Sequence, residues 1–248
     1  MIYFLSDAHL GSRLVENPRE HEQKLVRWLE QVRRDAEAIY LLGDIFDFWF
    51  EYKTVVPKGF VRFLGKLAEL SDQGIEIHFF TGNHDIWTFG YLEEEIGMKV
   101  HREPLTVKLG NKLFYLAHGD GLYTNEPKFL FIRKIFHNSF AQRLFQLVPP
   151  RLGQKFGYWW SKKSREKVLS LDNKYLGEEN ENLVIFAKNY ILNHEVDFLV
   201  FGHRHISLDL QLQKQKRVII LGDFVGIFSY GVFDGENFRL EYFEPQGE

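Results

Sequence analysis

The sequence predicts an α/β (α+β) protein: a β-sandwich with helices packed outside it and one helical insertion. Three observations predict it. Strand-length apolar runs alternate with amphipathic helical patterns in the first part of the chain, hairpin signals dominate its later parts, and a long helical stretch separates two of the later strands.

Taken in order, Ile2 to Ser6 is a buried-strand run that ends in Asp7-Ala8-His9-Leu10-Gly11. Leu25, Trp28, Leu29 and Val32 then recur at helical spacing among charges, the pattern of a helix lying on a sheet. Ala38 to Leu42 is apolar throughout, as in a strand covered on both faces, and runs into Gly43-Asp44-Ile45-Phe46-Asp47. A second helix is expected from about Pro57 to Gln73, with Phe60, Phe63, Leu64 and Leu67 on one face and Gly74 ending it. A third strand, Ile75 to Phe80, leads into Thr81-Gly82-Asn83-His84-Asp85. Leu105 to Leu109 and Lys112 to Ala117 flank Gly110-Asn111, a hairpin turn, and the second of them ends in His118-Gly119-Asp120. From about Thr124 to His194 the pattern is helical; Phe198 to Phe201 is a short strand ending in Gly202-His203-Arg204-His205. A last hairpin places Asp234-Gly235 between Ser229 to Phe233 and Phe238 to Phe243. No linker or repeat divides the chain, so one domain over 1–248 is expected, with an inserted helical lid over 121–195.

Composition narrows the function. With no cysteine in 248 residues, disulfides, thiolate zinc sites and cysteine nucleophiles are excluded. A net charge of −3 makes no global case for nucleic acid, and none is expected as a partner. Apolar residues at 45% and aromatics at 16% suffice for a large core, and 24 phenylalanines leave some over for other duties. The N-terminal apolar run is too short for a signal peptide and no run reaches membrane-spanning length, so a cytoplasmic protein is expected.

The chemistry gathers at strand ends, where open α/β folds collect ligands. Five of them present Asp7 with His9, Asp44 with Asp47, Asn83 with His84, His118, and His203 with His205. Carboxylate, amide oxygen and imidazole together suit Mn²⁺, Fe²⁺ or Zn²⁺ better than Mg²⁺ or Ca²⁺. The donors are too many for one ion; two ions roughly 3.5–4 Å apart, bridged by a carboxylate, would use them all. His21, His78, His101, His137 and His194 have no such company and are expected to be ordinary surface or boundary residues.

Asp7-x-His9, Gly43-Asp44-x-x-Asp47, Gly82-Asn83-His84-Asp85, His118-Gly119 and Gly202-His203-x-His205, in this order, resemble the calcineurin-like metallophosphoesterase family. The resemblance implies a four-layer sandwich core and two divalent ions, Mn²⁺ before Fe²⁺ or Zn²⁺. It places Asp7, His9, Asp44 and His205 on the first ion and Asp44, Asn83, His118 and His203 on the second, with Asp44 bridging. It puts His84 beside the leaving group, with Asp47 accepting the other N–H of that imidazole.

The insertion bears on the substrate. Phe129, Ile132, Phe136, Phe140, Leu144 and Leu147 fall on one helical face of a run reaching Val148, behind the caps Thr124-Asn125, and Leu130, Phe131, Ile135 and Phe145 widen it. Lys128, Arg133, Lys134, Arg143, Arg151, Lys155, Lys162, Lys163, Arg165 and Lys167 stand among or after them beside Tyr158-Trp159-Trp160. Cations beside surplus aromatics suit an anionic membrane surface; an ordinary cap whose faces bury one another is the alternative. His118-Gly119-Asp120-Gly121, Tyr123-Thr124, Gly43 to Trp49 and the segment around Ser164 are similar to the UDP-2,3-diacylglucosamine hydrolase family of lipid A synthesis. That implies hydrolysis of the pyrophosphate of a lipid-linked UDP-sugar to UMP and an acylated sugar phosphate, at the inner face of the inner membrane. Asn83, His84, His203, Ser164 and Lys167 are the implied substrate contacts. Another lipid phosphate, a nucleotide or a nucleic-acid phosphodiester stays open as substrate, and so does a metal-free scaffold, although a scaffold has no use for every donor.

Overall fold

The computed structural model describes residues 1–123, 127–169 and 174–243, with side chains at all of these except 129, 164–169 and 214. Two sheets lie face to face. In the six-stranded sheet, β1 (Ile2–Leu5), β2 (Ala38–Leu42), β3 (Glu76–Phe80) and β4 (Lys99–His101) run parallel. β10 (Ser229–Phe233) pairs antiparallel with β1 and β11 (Phe238–Tyr242) with β10, giving the order β11-β10-β1-β2-β3-β4. The five-stranded sheet has the order β5-β6-β7-β9-β8, from β5 (Leu105–Leu109), β6 (Lys112–Ala117), β7 (Phe198–Phe201), β8 (Ser207–Gln211) and β9 (Arg217–Leu221). β6, β7 and β9 are parallel to one another.

Three apolar layers make the sandwich four layers deep. Phe4, Tyr40, Leu42 and Phe80 meet Phe114, Leu116, Phe198, Val200, Ile219 and Leu221 between the sheets. The outer face of the larger sheet is covered by α1 (Pro18–Val32), α2 (Val61–Asp72) and α3 (Tyr91–Ile96) through Leu25, Trp28, Phe63, Leu67 and Leu92. The outer face of the smaller sheet is covered by α7 (Asn182–Asn193) through Leu183, Val184 and Ala187. Strands covered on both faces read as unbroken apolar runs, which is why β2 and β7 stand out in the sequence.

Several elements differ from expectation. The second helix begins at Val61 and not near Pro57, because Phe60 takes a left-handed conformation (φ 59°). Its first amides are satisfied across space: Glu22 Oε1 of α1 accepts from the backbone N–H of Arg62 at 2.9 Å and of Phe63 at 3.2 Å. The expected run to Val148 is two helices, α4 (Pro127–Phe136) and α5 (Ser139–Phe145), separated where Asn138 caps α5 by accepting from the Ala141 amide at 2.9 Å. α6 (Pro150–Leu169) follows. Thr124 and Asn125 lie outside the described residues. The short α3 and β4, and the β8–β9 hairpin, were not anticipated. His21 and His78 are buried, at 5% and 7% exposure, and not at a boundary.

Candidate metal centre

The registers bring the strand ends together. Ile2 to Leu5 pair with Ala38 to Leu41, so Asp7 and His9 leave the sheet beside Gly43 and Asp44, and the pairing continues through Asp7 N–H to Gly43 O (3.1 Å) and His9 N–H to Asp44 O (2.9 Å). Leu42 opposite Phe80 places Gly82-Asn83 on the other side of Asp44. In the facing sheet, Ala117 opposite Phe201 puts His118 beside Gly202-His203, where the Gly202 amide donates to the His118 carbonyl at 2.9 Å. Close approach explains two glycines. A side chain on Gly43, itself at φ +84°, would lie 2.7 Å from His118 Nδ1, and one on Gly82 would lie 2.2 Å from Asp44 Oδ1.

Among the described residues eight non-glycine positions have positive φ, and five of them belong to this cluster: Asp7 (52°), His9 (45°), Asp44 (53°), His203 (68°) and His205 (51°). Such backbone persists only where the surroundings impose it, at a cost on the order of 1–3 kcal/mol each, and it concentrates at functional sites.

The side chains converge. His205 Nε2 lies 3.4 Å from Asp7 Oδ1 and 3.3 Å from His9 Nε2; His118 Nε2 lies 3.4 Å from Asp44 Oδ2, and His9 Nε2 and His84 Nε2 lie 4.0 and 3.9 Å from that same oxygen. Three sets have donor atoms mutually within 4.8 Å: Asp7, His9 and His205; His9, Asp44 and His84; and Asp44, His118 and His203. Asp7 Oδ1, Asn83 Oδ1 and His118 Nε2 are buried with no hydrogen-bond partner. Buried polar atoms in that condition are costly unless something else satisfies them. Oxygen and imidazole donors, orphaned and facing inward, fit a pair of divalent cations.

Two of the donors are held in the charge state that a cation needs, whereas burial raises Asp7, and His118 and His205, which burial works to lower, are pushed up by Asp44 and Asp7 respectively. Burial works to raise Asp44, but His118, His84 and His9 around it hold its carboxyl well below the usual range, so it is an anion. Burial, then His118, pushes His203 down to about 4, leaving the neutral imidazole that ligates metals. Nδ1 of His118 meets the Leu42 carbonyl at 2.8 Å, which fixes Nε2 toward Asp44.

Around the donors stand residues that orient them, and the sequence reading misses several. Asp85 is fully buried and accepts from the amides of Gly82 (2.8 Å), Ile45 (2.8 Å), Asp44 (3.2 Å) and Phe46 (3.2 Å), tying two donor loops together. Burial, then Asp44, pushes it up to about 7. Asp223 lies 3.4 Å from His205 Nδ1. Its signal was available, since Arg217 to Leu221 followed by Gly222-Asp223 repeats the pattern of Ala38 to Leu42 followed by Gly43-Asp44. His21 meets the carbonyl of Ala8, between Asp7 and His9, at 2.7 Å. Asp47 does meet the other ring nitrogen of His84, but through its backbone: His84 Nδ1 lies 3.0 Å from the Asp47 carbonyl, while the Asp47 carboxylate lies 3.6 Å from His9 Nδ1. Backbone, not side chain, therefore orients His84, because the loop turns the carboxylate toward His9.

A small cavity of about 90 Å³ beside Asn83 is lined by Asp120, Ile132, Arg133, Phe136 and Trp160 among others. Phe136 also lines an apolar groove of about 460 Å³ with Trp87, Phe145, Leu152 and Phe156. The helices reach the core through an aromatic cluster, Phe48, Phe50, Ile86 and Trp87 packing with Tyr52, Phe136, Phe145 and Tyr158. Ser164 and Lys167 fall on α6, and their side chains lie outside the described residues.

The sequence profile of the Calcineurin-like phosphoesterase family matches residues 1–207. The chain is 49% identical to a UDP-2,3-diacylglucosamine hydrolase of Porphyromonas gingivalis, over 98% of this chain and 97% of that one. It is 28% identical to a UDP-2,3-diacylglucosamine hydrolase of Yersinia pseudotuberculosis, over 88% of each chain. Among solved structures, a dimetal phosphatase from Danio rerio aligns with a TM-score of 0.46 at 16% identity, over 97% of this chain and 94% of that one.

Proposed function

Because the chain belongs to the calcineurin-like phosphoesterase family, we propose that it is a dinuclear metal-dependent pyrophosphatase that cleaves UDP-2,3-diacylglucosamine to UMP and 2,3-diacylglucosamine 1-phosphate. The whole of 1–248 works as one domain, with 121–195 as its lid. The observation that carries the substrate class is that a cavity at the donor cluster and an apolar groove share a wall: Asn83 and Phe136 line the cavity, and Phe136 also lines the groove. A phosphate at the donors thus has acyl-compatible surface next to it. The two relatives named for this substrate give the head group.

Asp7, His9, Asp44 and His205 would hold one ion and Asp44, Asn83, His118 and His203 the other, with Mn²⁺ the favoured metal. When bound, such a pair neutralises the phosphoryl oxygens and lowers the pKa of water. Asp44 would be shared between the two sets, a reading supported by His118, His9 and His84 all lying within 4.0 Å of its Oδ2. With Nδ1 of His84 engaged by the Asp47 carbonyl, proton transfer to the departing phosphate falls to its Nε2. The aromatic wall of the groove excludes water from the acyl side and orients the pyrophosphate.

Among the described residues no helix is long and apolar enough to cross a membrane. Contact with a membrane surface is supported instead by exposed Phe131, Phe140, Leu144, Leu147, Leu152 and Trp159, interspersed with exposed Arg143, Arg151, Lys155 and Lys163. The deciding experiment compares release of nucleoside monophosphate from UDP-2,3-diacylglucosamine, from the unacylated UDP-sugar and from single-stranded DNA, under Mn²⁺ and after chelation. Metal-dependent release confined to the acylated substrate is expected. Activity that survives chelation, or equal cleavage of the unacylated sugar, overturns the reading.

A further inference from the structure

Two ion pairs join the helical segment to the loops that carry His118 and His203. Near its start, Arg133 of α4 donates from Nε to Asp120 Oδ2 at 2.9 Å, two residues past His118. Near its end, Arg204 pairs with Glu181, the residue before α7, through Nε to Oε1 at 2.7 Å and Nη2 to Oε2 at 3.0 Å. Arg204 sits between His203 and His205. Glu181 is fully buried, so its pair with Arg204 is not the loosely held surface kind, and the two-pronged geometry fixes the Arg204 fork in direction as well as distance; in the other pair the Asp120 side chain is 10% exposed and that of Arg133 40%.

What they hold is strained. His203 and His205, on either side of Arg204, have φ of 68° and 51°. His205 has a second hold in Asp223, whereas the His203 ring meets the His118 ring edge-on, with centroids 5.1 Å apart. Since the Gly202 amide donates to the His118 carbonyl, the two loops form one piece, gripped by α4 on one side and by the start of α7 on the other.

We propose that Arg204–Glu181 and Arg133–Asp120 are positioning pairs that couple the seating of the α4–α7 segment to the donor geometry of His118 and His203. Metal binding on that side tightens α4 and the start of α7, and seating of α4, as over a substrate, strengthens metal binding; the two effects are reciprocal. The inference rests on the reading of His118 and His203 as metal donors.

Arg204→Ala would strand a buried carboxylate, so the test uses the neutral pair Arg204→Gln/Glu181→Gln, with Arg204→Lys as the conservative variant. Mn²⁺ affinity is read by titration calorimetry, and hydrogen exchange is followed over 127–136 and 182–193 with and without Mn²⁺. The wild type is expected to bind two ions and to slow exchange in both helices when it does. The neutral pair keeps one affinity, loses about 10-fold or more in the other, and loses the response over 182–193; Arg204→Lys recovers part of both. Two ions at wild-type affinity in the neutral pair, or wild-type helices that ignore bound Mn²⁺, overturn the coupling. A wild type that binds no Mn²⁺ sinks the metal reading itself. Should the neutral pair not fold, Arg204→Lys decides by the same two measurements, a wild-type profile counting against the proposal.

Discussion

Gly82 and His84 sit one residue either side of Asn83 and separate two kinds of constraint. A methyl group on Gly82 would overlap the Asp44 carboxylate, at 2.2 Å from Oδ1, and the Asp44 amide, at 2.5 Å. Gly82→Ala should therefore displace the proposed bridge and bring bound Mn²⁺, measured by mass spectrometry of the metal, well below that of the wild type; unchanged metal content would deny Asp44 the bridging role. His84 is different, because its Nδ1 is tied to the Asp47 carbonyl while its Nε2 lies 3.9 Å from Asp44 Oδ2. Its replacement by Ala should lower kcat by about 10²-fold, in the range of a lost general acid or base, with metal content retained. Equal losses of metal and turnover would make His84 a ligand.

The helices α4 and α5 carry apolar side chains with two destinations. Phe136 packs edge-on against Trp87, with ring centroids 5.0 Å apart, and lines the groove, whereas Phe140 is 68% exposed. Phe136→Ser should raise KM for the diacylated substrate far more than for a short phosphodiester. Phe140→Ser should spare both in detergent solution and reduce sedimentation with anionic vesicles. Equal losses on both substrates in Phe136→Ser would reduce the groove to a packing feature. The break between the two helices is capped from both sides: Asn138 accepts from the Ala141 amide, and the Gln142 side chain donates to the Phe136 carbonyl at 2.7 Å.

Across the whole molecule, acid sensitivity should trace partly to a histidine pair that belongs to none of the proposed donor sets, His78 and His101. His78 Nδ1 and His101 Nε2 are 2.9 Å apart, and burial, then His78 and Lys99, pushes His101 down to about 4. The unfolded chain protonates near 6.5, so between pH 6.5 and 4 it binds more protons than the folded one. The stabilising contribution is complete above pH 6.5 and is lost as pH falls toward 4. Allowing for the part-exposed position of His101, the loss is on the order of 1–2 kcal/mol. Denaturant melts of wild type and His101→Gln across this window should show a shallower pH slope in the variant; parallel slopes would reject the assignment.

The sequence alone determined the strands that lead into the candidate donors, because a strand covered on both faces is an uninterrupted apolar run and the residue types that bind divalent cations follow such a run directly, as in Ala38 to Asp44; β4 and the β8–β9 hairpin carry no such signal. It also exposed the surplus of aromatic residues between 127 and 160, though not which of them face the core. Only the tertiary structure decided what holds the donors in place. Asp85 ties loops that start from β2 and β3, Glu22 caps a helix that begins some forty residues later, and Glu181 reaches Arg204 across the end of the smaller sheet. The Asp47 carboxylate likewise chooses His9 over His84. Such choices depend on backbone direction and on partners distant in the chain, and neither leaves a local pattern in the order of residues.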